Sequence, residues 1–313
     1  MSEDLYYNRD VNLSGISDIN ISDYALSYGS SVSFSSSNYS YKTNDNYYNL
    51  IPLSINSLNA KFNSRYEVNE EDAQKIVNFF ESKSGVNDFS YQPDASIYRA
   101  LSGYCESYDV SHINNQHYEV AVTIDISEAP NLLNWSGGTY STGVWSSFAL
   151  SQNYEKYDVV YTGISSNKLN NFYYCTGDHT SAEDNSPTGN NSMWTQDFFF
   201  EPDIDVSNSV QFDVDATDFQ NSFKQRMKNR KNIATTPINY SYKNISTKQI
   251  RAMLHFLENK GGYRRFKHQI PSLYNRPKVF YCPEWKHDWV YQDSHNLSVS
   301  LSEDPMGVIP TGT

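Results

Sequence analysis

The sequence is poor in the features that usually advertise an activity. Three cysteines in 313 residues make no disulfide framework. No apolar run approaches membrane-spanning length, and Met1–Asp10 is polar and acidic, so neither a membrane partner nor a secretion signal is expected. Glycine-rich phosphate loops and nucleophile elbows are absent. No histidine pair has zinc-site spacing. Cys175, Asp178 and His179 lie close in sequence without a matching fourth ligand, and His287-Asp288 with His295 fares no better. The 36 acids include no pair that stands apart, so they read as exposed surface. The expectation is a protein that is not an enzyme and that carries no cofactor and no metal.

Leucine and alanine are also scarce. Only 38% of residues are hydrophobic, yet 15% are aromatic, with 26 tyrosines. Such usage favours β-structure with broad contact surfaces, and the aromatics argue against disorder.

One pattern occurs twice. Asn69 and Ser246 each stand three residues before a polar partner, Asp72 and Gln249, the spacing of a helix N-cap. Apolar residues then recur at helical spacing: Ala73, Ile76, Val77 and Phe80, then Ile250, Met253, Leu254 and Leu257. Both helices are expected to stop at glycine, Gly85 and Gly261-Gly262. The copies align at a constant offset of 177. From Phe79 to Cys105, nine of 27 positions match their counterparts, including Phe89/Phe266, Gln92/Gln269, Arg99/Arg276 and Tyr104-Cys105/Tyr281-Cys282. Roughly one or two matches are expected by chance at ordinary residue usage. A duplicated domain follows.

Alternating residues mark strands around each helix. The first copy has Val32 and Phe34, Tyr39 and Tyr41, then Leu58, Ala60 and Phe62, and finally Val120, Val122, Ile124 and Ile126. The second has Val210, Phe212 and Val214, Ile238, Tyr240 and Tyr242, then Leu297, Val299 and Leu301. Phe89 to Tyr108 reads as irregular. The final strands end at Ser127-Glu128-Ala129-Pro130 and Ser302-Glu303-Asp304-Pro305, which implies a late two-residue deletion.

The expected fold is therefore mainly β with one helix per repeat: two β-barrel or sandwich domains and an inserted small β-domain. The expected boundaries are an N-terminal arm (1–25), domain 1 (26–130), the insertion (131–208) and domain 2 (209–313). Within the insertion, residues 131–203 read as removable, with linkers such as Ser136-Gly137-Gly138. Charge is split between the halves. Residues 209–313 carry 15 Lys/Arg against 9 Asp/Glu, net +6, which leaves residues 1–208 at net −18. Head-to-tail assembly of unlike surfaces fits such asymmetry. The basic run Lys224, Arg226, Lys228, Arg230 and Lys231 reads as a long loop that docks on an acidic neighbouring subunit.

The second copy resembles the distal-tail and minor-tail proteins of long-tailed bacteriophages. The resemblance rests on Phe223-Lys224-Gln225-Arg226, the capped helix with Phe256-Leu257 and Gly261-Gly262, then Phe266, Tyr281-Cys282 and Trp285. It implies tail-tube-like domains arranged in a sixfold ring around a DNA channel. Two such domains per chain imply a homotrimer in the virion tail tip or baseplate. Tail tube, hub and tail-tip proteins are the implied neighbours, and DNA passes without sequence-specific binding.

The insertion resembles the small chitin- and cellulose-binding modules of bacterial glycosidases. Tyr154, Asp158-Val159-Val160-Tyr161, Tyr173-Tyr174-Cys175, His179-Thr180-Ser181, Pro187 and Trp194 carry that likeness. It implies a glycan site with Trp145, Tyr161, Tyr173 and Trp194 as candidates, and hence an alternative reading as a host-surface adhesin. Asn185 stands where such modules present an exposed aromatic.

Overall fold

The computed structural model describes residues 19–42, 48–53, 58–114, 116–126, 133, 146–162, 172–189, 192–202, 207–208, 211–212, 214–219, 223–228, 234–235, 237–269, 277–291 and 293–304. The first half runs β1 (Ser31–Ser36), β2 (Asn38–Lys42), β3 (Tyr48–Pro52), β4 (Leu58–Asn69), α1 (Glu70–Lys83), β5 (Phe89–Tyr91), β6 (Leu101–Asn114) and β7 (His117–Ile126). The middle segment contains β8 (Ser146–Ser147), β9 (Asn153–Tyr154), β10 (Val159–Tyr161), β11 (Phe172–Cys175), β12 (His179–Thr180) and β13 (Trp194–Thr195). Then follow β14 (Ser207–Asn208), β15 (Gln211–Phe212), β16 (Val214–Phe219), β17 (Phe223–Lys228) and β18 (Ala234–Thr235). The second half closes with β19 (Ile238–Ile245), α2 (Thr247–Lys260), β20 (Phe266–His268), β21 (Lys278–Tyr291) and β22 (Ser294–Glu303).

The fold is mainly β. Its main body is one ten-stranded antiparallel sheet in the order β14-β19-β22-β21-β1-β4-β7-β6-β5, with β20 beside β21. The path does not close on itself, so the expected barrels are not formed. The reason lies in β1, which pairs with β4 on one side and with β21 on the other. That strand splices the two halves into a single sheet.

From the helices onward the offset of 177 holds element by element. Glu70 and Thr247 open the helices, and Lys83 and Lys260 close them. The pairs β5/β20, β6/β21 and β7/β22 also begin and end at equivalent positions. Ile126 and Glu303 are both last strand residues, so the two-residue deletion expected from the Ser-Glu-x-Pro endings does not occur. The stretch expected to be irregular contains β6. Its burial alternates from Leu101 to Cys105, and a register shift between Cys105 and Ser107 then breaks the alternation. The bulge inverts the side-chain parity, which hides the strand from a period-2 reading.

Both helices form for the expected reasons. Asn69 accepts from the Asp72 N–H at 2.8 Å, and Ser246 from the Gln249 N–H at 3.3 Å. At the other end, Ser84 and Gly261 occupy the left-handed position with φ of 52° and 59°. Gly262 is needed for space as well as for its φ of +79°, since a Cβ there would lie 2.2 Å from the Ser36 Cβ at the end of β1.

The apolar helix faces point into the core: Phe80 is 2% exposed and Leu257 0%. Phe80→Asp and Leu257→Asp are each expected to unfold their half of the sheet, because an unpaired buried charge costs several kcal/mol. Thermal melting is the check, and an unchanged melting temperature in either variant contradicts the packing.

Candidate assembly surfaces

Three surfaces stand out: the seam between the halves, the face of α2, and the two hairpins that leave the sheet. At the seam, β1 and β21 run antiparallel with Val32 opposite His287 and Phe34 opposite Trp285. Phe34 and Trp285 stack at 5.1 Å with an 18° tilt. Ser36 Oγ donates to the Pro283 carbonyl at 3.0 Å.

Behind this ladder runs a polar relay. The Tyr98 hydroxyl lies 2.9 Å from His287 Nδ1, His287 Nε2 lies 3.1 Å from His295 Nδ1, and His295 Nε2 lies 3.0 Å from Thr247 Oγ1. Burial holds the Tyr98 phenol well above its ordinary range, so it keeps its proton. Burial also holds His287 well below the ordinary histidine value, and His295 is lowered for the same reason. Both imidazoles are neutral at pH 7. With both imidazoles neutral, each carries one N–H, so the three links are satisfied when all donors point the same way along the chain, either from Tyr98 to Thr247 or from Thr247 to Tyr98. Trp289 flanks the relay and donates to Asp94 at 3.4 Å. The sequence showed His287 and His295 as a weak metal pair. Tyr98 carried no signal, because the repeat places Asn275 at its counterpart.

The face of α2 is covered by the middle segment. In α1 the equivalent face carries Glu71, Lys75 and Asn78, none of them buried. In α2 these positions are Lys248, Ala252 and His255, and Ala252 and His255 are 1% and 0% exposed. The covering side chains come from one face of the small sheet β13-β11-β10-β8. Val159 is paired with Tyr174, and Tyr161 with Phe172. These four pack toward the main core. The Tyr174 hydroxyl shares a hydrogen bond with His255 Nδ1 at 2.9 Å, and Lys248 bridges Glu155 at 2.7 Å and Asp158 at 2.9 Å. Phe198 continues the contact, packing on Phe256 and Phe266 at 5.4 and 5.7 Å while its N–H bonds the Lys267 carbonyl. Residues 131–203 are therefore not a removable decoration, because part of this stretch supplies the apolar lid of α2.

The opposite face of the small sheet makes its own cluster of Tyr154, Val160, Cys175 and Trp194, flanked by Tyr173. This places the glycan candidates. Trp194 is 6% exposed, and its indole N–H donates to the Asn185 carbonyl at 3.0 Å. Tyr161 packs toward the main core, Tyr173 is half-buried against the small cluster, and Trp145 lies outside the described residues. Burial of Trp194 removes one of the candidate platforms for stacking on a sugar. Cys175 Sγ lies 3.6 Å from His179 Nδ1, but burial pushes its thiol up to about 12. Asp178 accepts from the Lys156 N–H instead of joining them.

The hairpins differ in chemistry. In β2–β3, Tyr39 is opposite Ile51 and shares a face with Tyr41 and Leu53. All four are at least half exposed, at 55%, 50%, 56% and 65%. An apolar face on a two-stranded arm is a contact surface by default. The basic run expected as a loop is instead largely strand β17, paired with β16 so that Lys224, Arg226 and Lys228 oppose Asp218, Ala216 and Val214. The alternation of charge with Gln225 and Met227 was the strand signal. Arg230 and Lys231 lie outside the described residues. No family model and no curated protein matches this sequence.

Proposed function

We propose that the chain is a structural virion protein of a phage tail tip or baseplate, three copies of which close a pseudo-sixfold ring around the channel for DNA. The tail assignment comes from the resemblance of the second half to distal-tail and minor-tail proteins. The ring comes from one observation about direction. Starting at β14, four successive antiparallel steps through β19, β22 and β21 arrive at β1. An even number of reversals restores the direction, so β1 runs the same way as β14, and each is the strand that pairs with the one leading into its helix. The two tube-like halves are thus related head to tail, without inversion. A repeated head-to-tail contact gives a cyclic assembly where its rotation closes, and an open filament where it does not.

In this reading the apolar β2–β3 arm and the basic β16–β17 arm reach the neighbouring layers of the tail, and the acidic and basic portions alternate around the ring. The middle segment rides on α2 as a structural module. No catalytic role is assigned. The test is the mass and symmetry of the assembled particle, by light scattering and electron microscopy. Three chains with sixfold appearance are expected, and a ring of six full-length chains refutes the reading.

A further inference from the structure

The main sheet ends in two unlike edges, and the seam inside the chain shows what fits them. Strand β21 takes β20 on its first three residues and then takes β1 along Glu284–Asp288. Strand β6 is its counterpart 177 residues earlier. It has the same length, takes β5 on its first three residues, and shifts register at the same place. Among the described residues, no strand lies along β6 from Ser107 to Ser111, the positions equivalent to those β1 covers. Side-chain burial follows this difference. On β21, Trp285 and His287 are 3% and 0% exposed beneath β1, whereas their counterparts Tyr108 and Val110 on β6 are only half-buried. At the other end of the sheet, among the described residues, β14 pairs with β19 on one side only.

We propose that the β6 edge, at Asp109 and Val110, receives the β14 strand of a second copy of this chain, antiparallel and in the register that β1 keeps on β21. The proposal rests on the ring reading and names its subunit junction. The occupant is fixed by internal precedent: the first strand of one half already lies on the equivalent edge of the other. The register follows from pairing. Ser33 is opposite Lys61 on β4, and Asn208 is opposite Ile238, the counterpart of Lys61 on β19. Asn208 therefore stands where Ser33 does. Ser33 faces Lys286, whose counterpart is Asp109, so Asn208 of one copy lies opposite Asp109 of the next. The hydrogen-bond phase is fixed too. The Trp289 N–H bonds the Ser30 carbonyl at 3.0 Å, which makes Ser30–Trp289 a hydrogen-bonded pair and Ser33–Lys286, three steps along, a non-hydrogen-bonded one. Non-hydrogen-bonded pairs bring the two side chains closest, at a separation a disulfide can span. Tyr108 takes the place of Trp285 as the aromatic over which the incoming strand lies.

The experiment introduces Asp109→Cys and Asn208→Cys together into the full chain and oxidises the assembled protein. The two positions lie near opposite ends of the sheet, so a bond between them within one chain is excluded. The expected result is a non-reducing ladder that stops at a covalent trimer, with the 109–208 disulfide found by mass spectrometry. Each single variant is expected to give no such ladder. Pairing Asp109→Cys with Ser207→Cys shifts the register by one residue and turns one thiol to the other face, so that pair is expected not to link. A trimeric particle without the 109–208 bond overturns this junction and leaves the ring standing. Cross-linked chains that run past three without closing support the junction and overturn the three-chain ring. A chain that stays monomeric under oxidation overturns both.

Discussion

A chain in which residues 146–195 are replaced by a short Gly/Ser linker is expected to lose the folded second half. The deletion strips Val159, Tyr161, Phe172 and Tyr174 from the face of α2 and exposes Ala252 and His255. Truncating one large buried side chain costs about 2–5 kcal/mol, so losing four amounts to on the order of 8–20 kcal/mol. That is comparable with the whole stability of a domain, about 5–15 kcal/mol. The expected readout is an insoluble product, or a soluble one whose first transition falls by tens of degrees, given about 2–4 °C per kcal/mol for a domain of this size. The first half supplies a control, since α1 shows how the same helix is dressed for water. Adding Ala252→Lys and His255→Asn to the deleted chain restores the polar surface of Lys75 and Asn78, and is expected to recover solubility. A deleted chain that melts within a few degrees of the parent shows that the middle segment is only attached, not structural.

The same comparison shows how much of the fold was legible in the sequence. The helices, their caps and the strands on either side were readable because their periodicity survives in the residues. The offset of 177 was readable because Phe, Gln, Arg and Tyr-Cys recur in order. Strand β6 was missed because the bulge after Cys105 inverts its parity, and β17 because its side chains are long and charged. The splice through β1 left no mark, since Ser31–Ser36 has the same alternation whether one or two neighbours pair with it. The covering of α2 was in fact written in the sequence. Replacement of Lys75 and Asn78 by Ala252 and His255 signals a face that has left water, and this becomes visible once the repeats are compared position by position instead of by identity. For the surfaces, the basic residues were seen but placed in a loop, and Trp194 was read as a sugar platform although it is buried in the small cluster. Composition cannot distinguish a buried tyrosine from a displayed one, because the choice is made by which face of β10 and β11 meets α2.

Acidification is expected to open the seam, and the sign follows from the burial of its histidines. His255 is pushed down to about 3 by burial, and His268, His287 and His295 are also lowered, with burial the leading cause each time. In the unfolded chain they titrate near 6.5. Above that pH both states are neutral and the stabilisation is fully present. As pH falls below 6.5 the unfolded chain binds protons that the folded chain refuses, so stability is lost through the window down to the lowered values. For His255 alone the loss at pH 5 is roughly 2 kcal/mol, at about 1.4 kcal/mol per unit. The relay makes His287 and His295 the sensitive pair. A second proton on either imidazole turns both of its ring nitrogens into donors and places a charge in the buried relay. Asp94 and Glu258 act on Tyr98, Asp94 and Asp293 on His295, and Asp94 also on Arg251. Asp94 and Asp293 favour the charged form of His295, but its burial outweighs them. Urea unfolding between pH 7.5 and pH 4.5 measures the effect, and a monotonic fall in midpoint below pH 6.5 is expected. Replacing His287 with glutamine, which keeps a donor and an acceptor but cannot titrate, is expected to flatten part of that slope. A midpoint that is constant, or rises, on acidification contradicts neutral buried histidines at the seam.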